Sequence, residues 1–306
     1  MDYLCSGHVM IDTVQLPDGS TRTSMGGPVV FALAGAAFFS DSVLMVSRVG
    51  EDFPQYFQRW FEDNGFSLEG ANICSDYCNH HLITHHPDGT YTEISKYGQR
   101  LGDRNLGFLT PAPSDLAPFT DGVKAAYLCF GLENMVTWRG IKKLKEEKGF
   151  RIMWEIPTLQ AVPENMEKIK EVLSFSDYFS LNHHEAKTLF GTTDGDRCIS
   201  LLLELGVPTY YRVGRRGGYV LKDGRAVFCP SYITEHEPDP TGCGNCSTAS
   251  ALYCWCEGCD PLMTAIMSNI AAAHNILQHG PYPQFTKQTE ANARKLAEEL
   301  YQKYKK

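Results

Sequence analysis

Apolar residues along this chain come in short runs, and the runs alternate with amphipathic stretches. A strand-like run from Tyr3 to Ile11 leads into a turn-rich segment, Pro17-Asp18-Gly19-Ser20. Gly26-Gly27-Pro28 then opens an apolar, helix-like run that reaches Phe39. Val43 to Val49 reads as a further strand, and Gln55 to Asn64 as an amphipathic helix stopped by Gly65. Later strands are predicted at 125–130, 151–154, 178–180, 209–213 and 219–221, and helices at 138–148, 163–173, 183–190, 195–205, 244–257, 260–278 and 287–304. Strands alternating with helices build a parallel sheet covered on both faces. Residues 74–98 break the rhythm. Polar and apolar positions alternate there around a second turn, Pro87-Asp88-Gly89-Thr90, so the two Pro-Asp-Gly hairpins are expected outside the main sheet as a small antiparallel flap.

Composition narrows the function classes. The 306 residues are 43% hydrophobic, enough for a sizeable core, and no repeat, low-complexity stretch or linker divides them, so 1–306 is expected to form one domain. A net charge of −8, with Lys303, Lys305 and Lys306 the one basic cluster, disfavours nucleic acid as a partner. The longest apolar run, Val29 to Phe39, is too short to cross a bilayer. No basic segment followed by an apolar one opens the chain, which points to the cytoplasm. Eleven cysteines are then expected as thiols. The group Cys243, Cys246, Cys254, Cys256 and Cys259 contains two C-x-x-C spacings, but on a helix its two ends lie about two to three turns apart, too far for one tetrahedral zinc. Small buried side chains packing a helix are the expectation. In the histidine pairs His80-His81 and His85-His86, positions 81 and 85 share a strand face, yet no third donor has ligand spacing.

The chemistry concentrates at Asp239-Pro240-Thr241-Gly242-Cys243-Gly244-Asn245, directly before a helix. Glycines let the backbone approach an anion closely, and a helix N-terminus aims unpaired N–H groups and a positive dipole end at it. This loop resembles the C-terminal signature of the ribokinase-like (PfkB) family of sugar and nucleoside kinases, roughly Asp-x-Thr-Gly-Ala/Cys-Gly-Asp. The resemblance implies that Gly242, Cys243 and Gly244 form an anion hole for the transferring phosphoryl group. It implies that Asn245 stands where the family has its general base, and Asn accepts no proton near neutral pH.

Further segments carry the same resemblance in family order. Gly7-His8-Val9-Met10-Ile11-Asp12 resembles the opening strand, whose Asp holds substrate hydroxyls. Gly26-Gly27-Pro28 resembles the di-glycine switch at the substrate pocket. By themselves, Asp12 reads equally well as a turn residue and the glycines as an ordinary turn. Where many sugar kinases carry a substrate-binding Asn, Phe31 falls here, which makes the pocket less polar. Val49-Gly50-Glu51-Asp52-Phe53 and Asn64-Gly65-Phe66 match segments that are structural in the family. Asn182-His183-His184-Glu185 matches the N-x-x-E segment, in which the Glu organises magnesium beside the nucleotide. The same four residues read in isolation as an N-cap with its capping-box partner. Arg212-Val213-Gly214-Arg215-Arg216-Gly217-Gly218 resembles a turn bordering the nucleotide, with Arg212 in place of the usual Thr. Arg215 and Arg216 lie within reach of phosphates or at a solvated hairpin tip. Asn269, in an Ala-rich late helix, is placed beside the adenine, and His274 in the core.

Taken together, the resemblance implies a three-layer α/β/α sandwich with a mostly parallel central sheet and a small β-sheet lid from about 12–24 and 74–98. The implied activity is ATP- and Mg2+-dependent phosphorylation of a hydroxyl on a sugar, nucleoside or related metabolite. Asp12, Gly26 and Gly27 would hold the substrate, Asn182, Gly214, Gly217 and Asn269 the nucleotide, and Glu185 and Asp239 the metal. Asp239 reads equally as a cap on the turn, and His236 lies just upstream. Asn245 leaves three readings open: a divergent kinase using another base, a binding protein that has lost turnover, or an Asp→Asn change made to trap substrate. Phe31, Arg212 and Trp154-Glu155-Ile156-Pro157 depart from the family pattern as well, which favours a native divergent protein over an engineered one, and Glu155 is a candidate surrogate carboxylate or a buried pair partner. Dimerisation through the lid is a further implication of the family.

Overall fold

The first apolar run divides in two. β1 (Tyr3–Ser6) is buried along its whole length, whereas in β2 (Met10–Gln15) only Ile11 is buried. A strand covered on both faces and one that is half open to solvent cannot continue a single ribbon, so the single strand expected over 3–11 breaks at Gly7–Val9 and its halves enter different sheets. This computed structural model describes residues 1–15, 19–85, 91–98, 107–235 and 237–305. Both Pro-Asp-Gly turns, and His86 and His236, fall largely or wholly outside the described residues.

β2 pairs antiparallel with β3 (Thr21–Gly26) and parallel with β6 (Asn79–His85), which pairs antiparallel with β7 (Tyr91–Ser95). These strands form a separate four-stranded sheet in the order β3-β2-β6-β7. The nine-stranded sheet adds β4 (Val43–Gly50), β5 (Ala71–Ser75), β8 (Ala125–Leu128), β9 (Arg151–Glu155), β10 (Tyr178–Asn182), β11 (Thr209–Arg212), β12 (Gly217–Lys222) and β13 (Arg225–Pro230). Its order is β5-β4-β1-β8-β9-β10-β11-β12-β13, parallel from β5 to β11 and antiparallel at the β12–β13 edge. β13 was not among the expected strands, although Ala226 to Cys229 is a short apolar run; it is a mostly exposed edge strand.

Alternate residues of the central strands feed two cores. Tyr3, Cys5, Met45, Tyr127 and Met153 pack with helices Pro28–Ala37, Cys243–Cys256, Pro261–Asn275 and Lys287–Tyr304. Leu4, Leu44, Ala126, Leu128 and Trp154 pack on the other face with helices Met135–Lys148, Met166–Leu173, His183–Phe190 and Gly195–Glu204. The result is a three-layer α/β/α sandwich. The helix expected over 55–64 opens as a π turn, Pro54–Gln58, before α geometry at Arg59–Asp63, and the one expected from 163 opens as a 3₁₀ turn at Pro163–Asn165.

Winding reverses at β1. The chain leaves it for β4 and β5 on one side and later for β8 to β11 on the other. Open α/β sheets bind ligands beyond the carboxyl ends of strands near such a switch. Glu155, Asn182 and Arg212 are the last residues of β9, β10 and β11, so the topology brings all three to that edge. No described helix is long and apolar enough to cross a membrane.

Candidate active site

The helix Cys243–Cys256 begins at Gly242, which takes a left-handed φ of 75°. A Cβ added there would lie 2.0 Å from Cγ of Phe31, so the Phe31 ring forms a floor under the loop. Phe31 therefore does not line a substrate pocket by its ring face alone; its packing is spent on Gly242. Gly35 lets the same two helices touch, since a Cβ on it would lie 2.0 Å from the Cys246 carbonyl oxygen. The Cys243 N–H closes a turn onto the Pro240 carbonyl at 3.2 Å, while the N–H groups of Gly244 and Asn245 have no backbone partner among the described residues. That leaves amides at the helix start available to an anion.

A cleft of about 410 Å³ opens in front of this start. Asn182, Gly214, Gly217, Cys243, Gly244 and Asn269 all line it, so four segments far apart in sequence meet there. Gly217, at φ 128°, passes so close to β13 that a Cβ would meet the Cys229 carbonyl oxygen at 2.1 Å. Asn269 stands in the wall with its amide nitrogen already donating to the Cys229 and Pro230 carbonyls at 3.2 and 3.0 Å. Arg215 pairs with Glu237 at the rim. His274, placed in the core by the sequence reading, is half-buried and packs against the rings of Phe38 and Tyr282. Burial pushes the Cys243 thiol up to about 11.

Behind the loop runs a buried polar chain that the sequence did not reveal. Asn245 Nδ2 donates to the Tyr127 phenol oxygen at 3.1 Å, and Tyr127 donates its proton to Glu155 Oε2 at 2.8 Å. Glu155 Oε1 pairs with Arg212 Nη1 at 2.6 Å, and Arg212 Nη2 lies 3.7 Å from Glu185 Oε2. Glu185 also accepts the Asn182 N–H at 2.6 Å and the Thr158 hydroxyl at 2.8 Å. Burial raises the Glu185 carboxyl despite these partners. For Arg212, burial alone would weaken the charged form, but the two carboxylates outweigh it and keep the guanidinium protonated. Tyr127, fully buried, is held well above the usual phenol range. In the sequence Tyr127 sits inside an apolar run, where its hydroxyl gives no signal.

The remaining predicted residues lie apart from the cleft lining. Asp239 accepts the Thr241 N–H at 2.9 Å and faces His279 at 3.2 Å, so it caps the turn. On the other side, Asp12 packs against Gly26, where a Cβ would meet its Oδ2 at 2.1 Å. Gly27, at φ 96°, passes within 2.5 Å of the His8 carbonyl oxygen, measured from where its Cβ would stand. Met10 pairs with Asn79 and with Gly26 across β2, which puts Asn79 on the sheet face that carries Asp12. The Asn79 amide is buried and neither of its polar atoms has a partner. His80 points to the opposite face, within hydrogen-bond distance of Thr13 Oγ1 at 2.8 Å, its ring edge-on to Tyr56 and Tyr97.

The cysteines pack two helices together. Cys246 and Cys243 contact the Ala271 and Ala272 carbonyls, and Cys254 contacts Met267. Among the described residues no group of three or more His, Cys, Asp or Glu side chains is placed to hold a metal ion.

The pfkB family carbohydrate kinase profile matches residues 2–288. The chain belongs to that family. It is accordingly a kinase that phosphorylates a small sugar- or nucleoside-type substrate. Its sequence is 23% identical over 286 residues to a cytidine kinase of Thermococcus kodakarensis, covering 91% of this chain and 96% of that one. Its fold is similar to that of the Burkholderia thailandensis nucleoside kinase in complex with inosine, with TM-score 0.75, 18% identity, and 96% of each chain covered. It is also similar to Arabidopsis thaliana ribokinase complexed with ribose and ATP, with TM-score 0.74 and 16% identity over 97% of this chain and 98% of that one.

The residues fit a nucleotide polyphosphate. Two amides at the helix start lack backbone partners, and Arg212, which lines the cleft, has a buried Nε with no partner. A divalent cation held directly by protein carboxylates fits poorly. Neither Glu185 nor Asp239 lines the cleft, and both are already engaged, while Glu237, the carboxylate that does line it, is paired with Arg215 at 3.2 Å.

Proposed function

We propose that this pfkB-family kinase uses ATP as donor and a nucleoside or free sugar as acceptor, with the phosphates at residues 242–245. The observation that supports this most is the convergence of Asn182, Gly214, Gly217, Cys243, Gly244 and Asn269 on one cleft before an N-terminus with unpaired amides. Phosphoryl transfer rests mainly on positioning and charge stabilisation, which suits a site whose parts are backbone amides and a fixed guanidinium. ATP supplies the transferable phosphoryl group, with Mg2+ arriving on the nucleotide, as an E. coli neighbour holding ATP and Mg2+ illustrates (TM-score 0.77, 16% identity).

Each predicted residue then has a role. Asp12 accepts hydrogen bonds from acceptor hydroxyls, and Gly26 and Gly27 allow the acceptor to approach the backbone. Gly242, Cys243 and Gly244 hold the phosphoryl group by main-chain N–H. Asn245, its amide nitrogen fixed on Tyr127, presents its oxygen to the acceptor hydroxyl and orients it without removing the proton. Asn182, Gly214, Gly217 and Asn269 wall the nucleotide. Glu185 and Asp239 position Arg212 and the loop respectively, reaching the cation only through water. The four-stranded sheet carrying Asp12 and Asn79 acts as the lid over the acceptor.

The name of the Thermococcus relative and the inosine bound to the Burkholderia structure favour nucleosides over hexoses as acceptors. A coupled assay of ADP release with cytidine, inosine, ribose and a hexose tests the reading. Turnover with at least one nucleoside is expected. ATP hydrolysis that no acceptor stimulates, or no ATP binding by calorimetry, would refute it.

A further inference from the structure

Arg212 supplies the fixed guanidinium of the proposed site, and its own contacts say more about how the phosphates are held. It closes β11 at the carboxyl edge of the sheet, its side chain only 11% exposed, and it lines the cleft. Its Nη1 stands 2.1 Å from the position a Cβ on Gly244 would take, so the guanidinium occupies the space over the first turn of the helix, which only glycine leaves open. Glu155 and Glu185 do not line the cleft, so the guanidinium lies between them and the ligand space. Guanidinium carries five donors in a planar fork. Here Nη1 is spent on Glu155 at 2.6 Å and Nη2 lies 3.7 Å from Glu185, while the buried Nε–H has no partner. A buried donor left unpaired costs stability unless a ligand completes it. A fixed cation beside unpaired helix amides is a match for phosphate oxygens, and Arg meets them with planar, charge-assisted hydrogen bonds.

We propose that Arg212 is the resident cation of the phosphate site, so that this chain binds a nucleotide polyphosphate without needing a divalent metal. Glu155 and Glu185 hold the guanidinium in place from behind, as Mg2+ would otherwise have to be held from within the cleft. The two carboxylates that the family resemblance would turn toward a metal are instead committed to an organic cation or to caps. The proposal rests on the nucleotide reading of the cleft and concerns binding, not the phosphoryl-transfer step.

Calorimetry with ATP in excess Mg2+ and in EDTA tests it on the full chain. The Kd in EDTA is expected within about threefold of that in Mg2+, and Arg212→Met is expected to weaken ATP in EDTA at least tenfold while Mg2+ restores part of the loss, these being the sizes set by one charge-assisted hydrogen bond. Glu155→Gln, which keeps Arg212 and an acceptor for Nη1 but removes the negative charge opposing it, is expected to tighten ATP in EDTA several-fold, and reads the same question if Arg212→Met does not fold. A Kd more than thirtyfold weaker in EDTA than in Mg2+, or unchanged EDTA affinity in both variants, would overturn the role of Arg212 and leave the nucleotide site standing. Failure of ATP to bind in either buffer would overturn both.

Discussion

Asn245 gives an amide hydrogen to the phenol oxygen of Tyr127 at 3.1 Å, and that phenol has already given its own hydrogen to Glu155 at 2.8 Å. The order of donors fixes the amide, with its nitrogen toward Tyr127. An aspartate in this place would meet the phenol with acceptors only, and Tyr127 would have to turn its proton away from Glu155.

Replacing Asn245 by Asp is therefore a test of what the site lacks. A positioned base is worth ~10²–10⁴-fold, and the cost of re-pointing Tyr127 offsets some of it, so kcat is expected to rise about tenfold to a thousandfold at pH 8. ATP affinity should change less than threefold. Steady-state kinetics beside calorimetry would show this, and a fall in kcat would mean that donation to Tyr127 is itself required.

Gly242→Ala should destabilise the fold as well as the site. It adds a Cβ at a φ of 75° and drives it into the Phe31 ring 2.0 Å away. Left-handed backbone costs a non-glycine residue about 1–2 kcal/mol and overpacking about 1–3 kcal/mol, so a loss of roughly 2–5 kcal/mol is expected from urea unfolding. In a cycle with Phe31→Ala the two changes should couple by about 1 kcal/mol or more, because the second removes the clash. Additive losses would show that the ring does not support the loop.

Cys243 offers a pH-dependent reporter of the cleft. Burial pushes its thiol up to about 11, and the thiolate is the form that alkylates. As pH rises from 7 toward 11 the thiolate fraction grows about tenfold per unit, so labelling by iodoacetamide should stay slow at pH 7.5 and climb steeply above pH 9. ATP should protect Cys243 and leave Cys74, on β5, unprotected. Peptide mass spectrometry reads both; fast labelling of Cys243 at neutral pH would contradict its buried setting.

Asp12→Asn separates acceptor from donor. Hydrogen bonds to a charged group are worth about 1.5–3 kcal/mol, so KM for the acceptor should rise about 10- to 100-fold while the Kd for ATP stays within twofold. An equal effect on both ligands would place Asp12 in general folding and not in acceptor binding.

The parallel sheet was legible because buried strands read as apolar runs and helices as amphipathic ones, and the parts with weak patterns were not. β13 carries a short apolar run, Ala226 to Cys229, but is mostly exposed at the sheet edge, and the sequence reading passed over it. The split between β1 and β2 was hidden because Tyr3 to Ile11 looks uniformly apolar, although burial on two faces and on one demands different sheets. Asn182 and Glu185 were legible both as a capping box and as site residues, and the structure shows the capping box formed.

What the sequence alone determined is local. The spacing of glycines at 242 and 244 before a helix, the N-x-x-E run at 182–185 and the absence of a carboxylate at 245 are covalent facts, and they set which backbone shapes and proton transfers are open. Tertiary structure alone decided that Arg212 lies over Gly244, between Glu155 and Glu185 at 2.6 and 3.7 Å, and that Tyr127 joins Asn245 to this cluster. Tyr127, Glu155 and Arg212 come from three different strands and Glu185, Gly244 and Asn245 from the starts of two helices, and side-chain charge carries no record of which neighbour a strand order will supply. Only when β8, β9, β10 and β11 align side by side do their carboxyl ends bring that polar chain together.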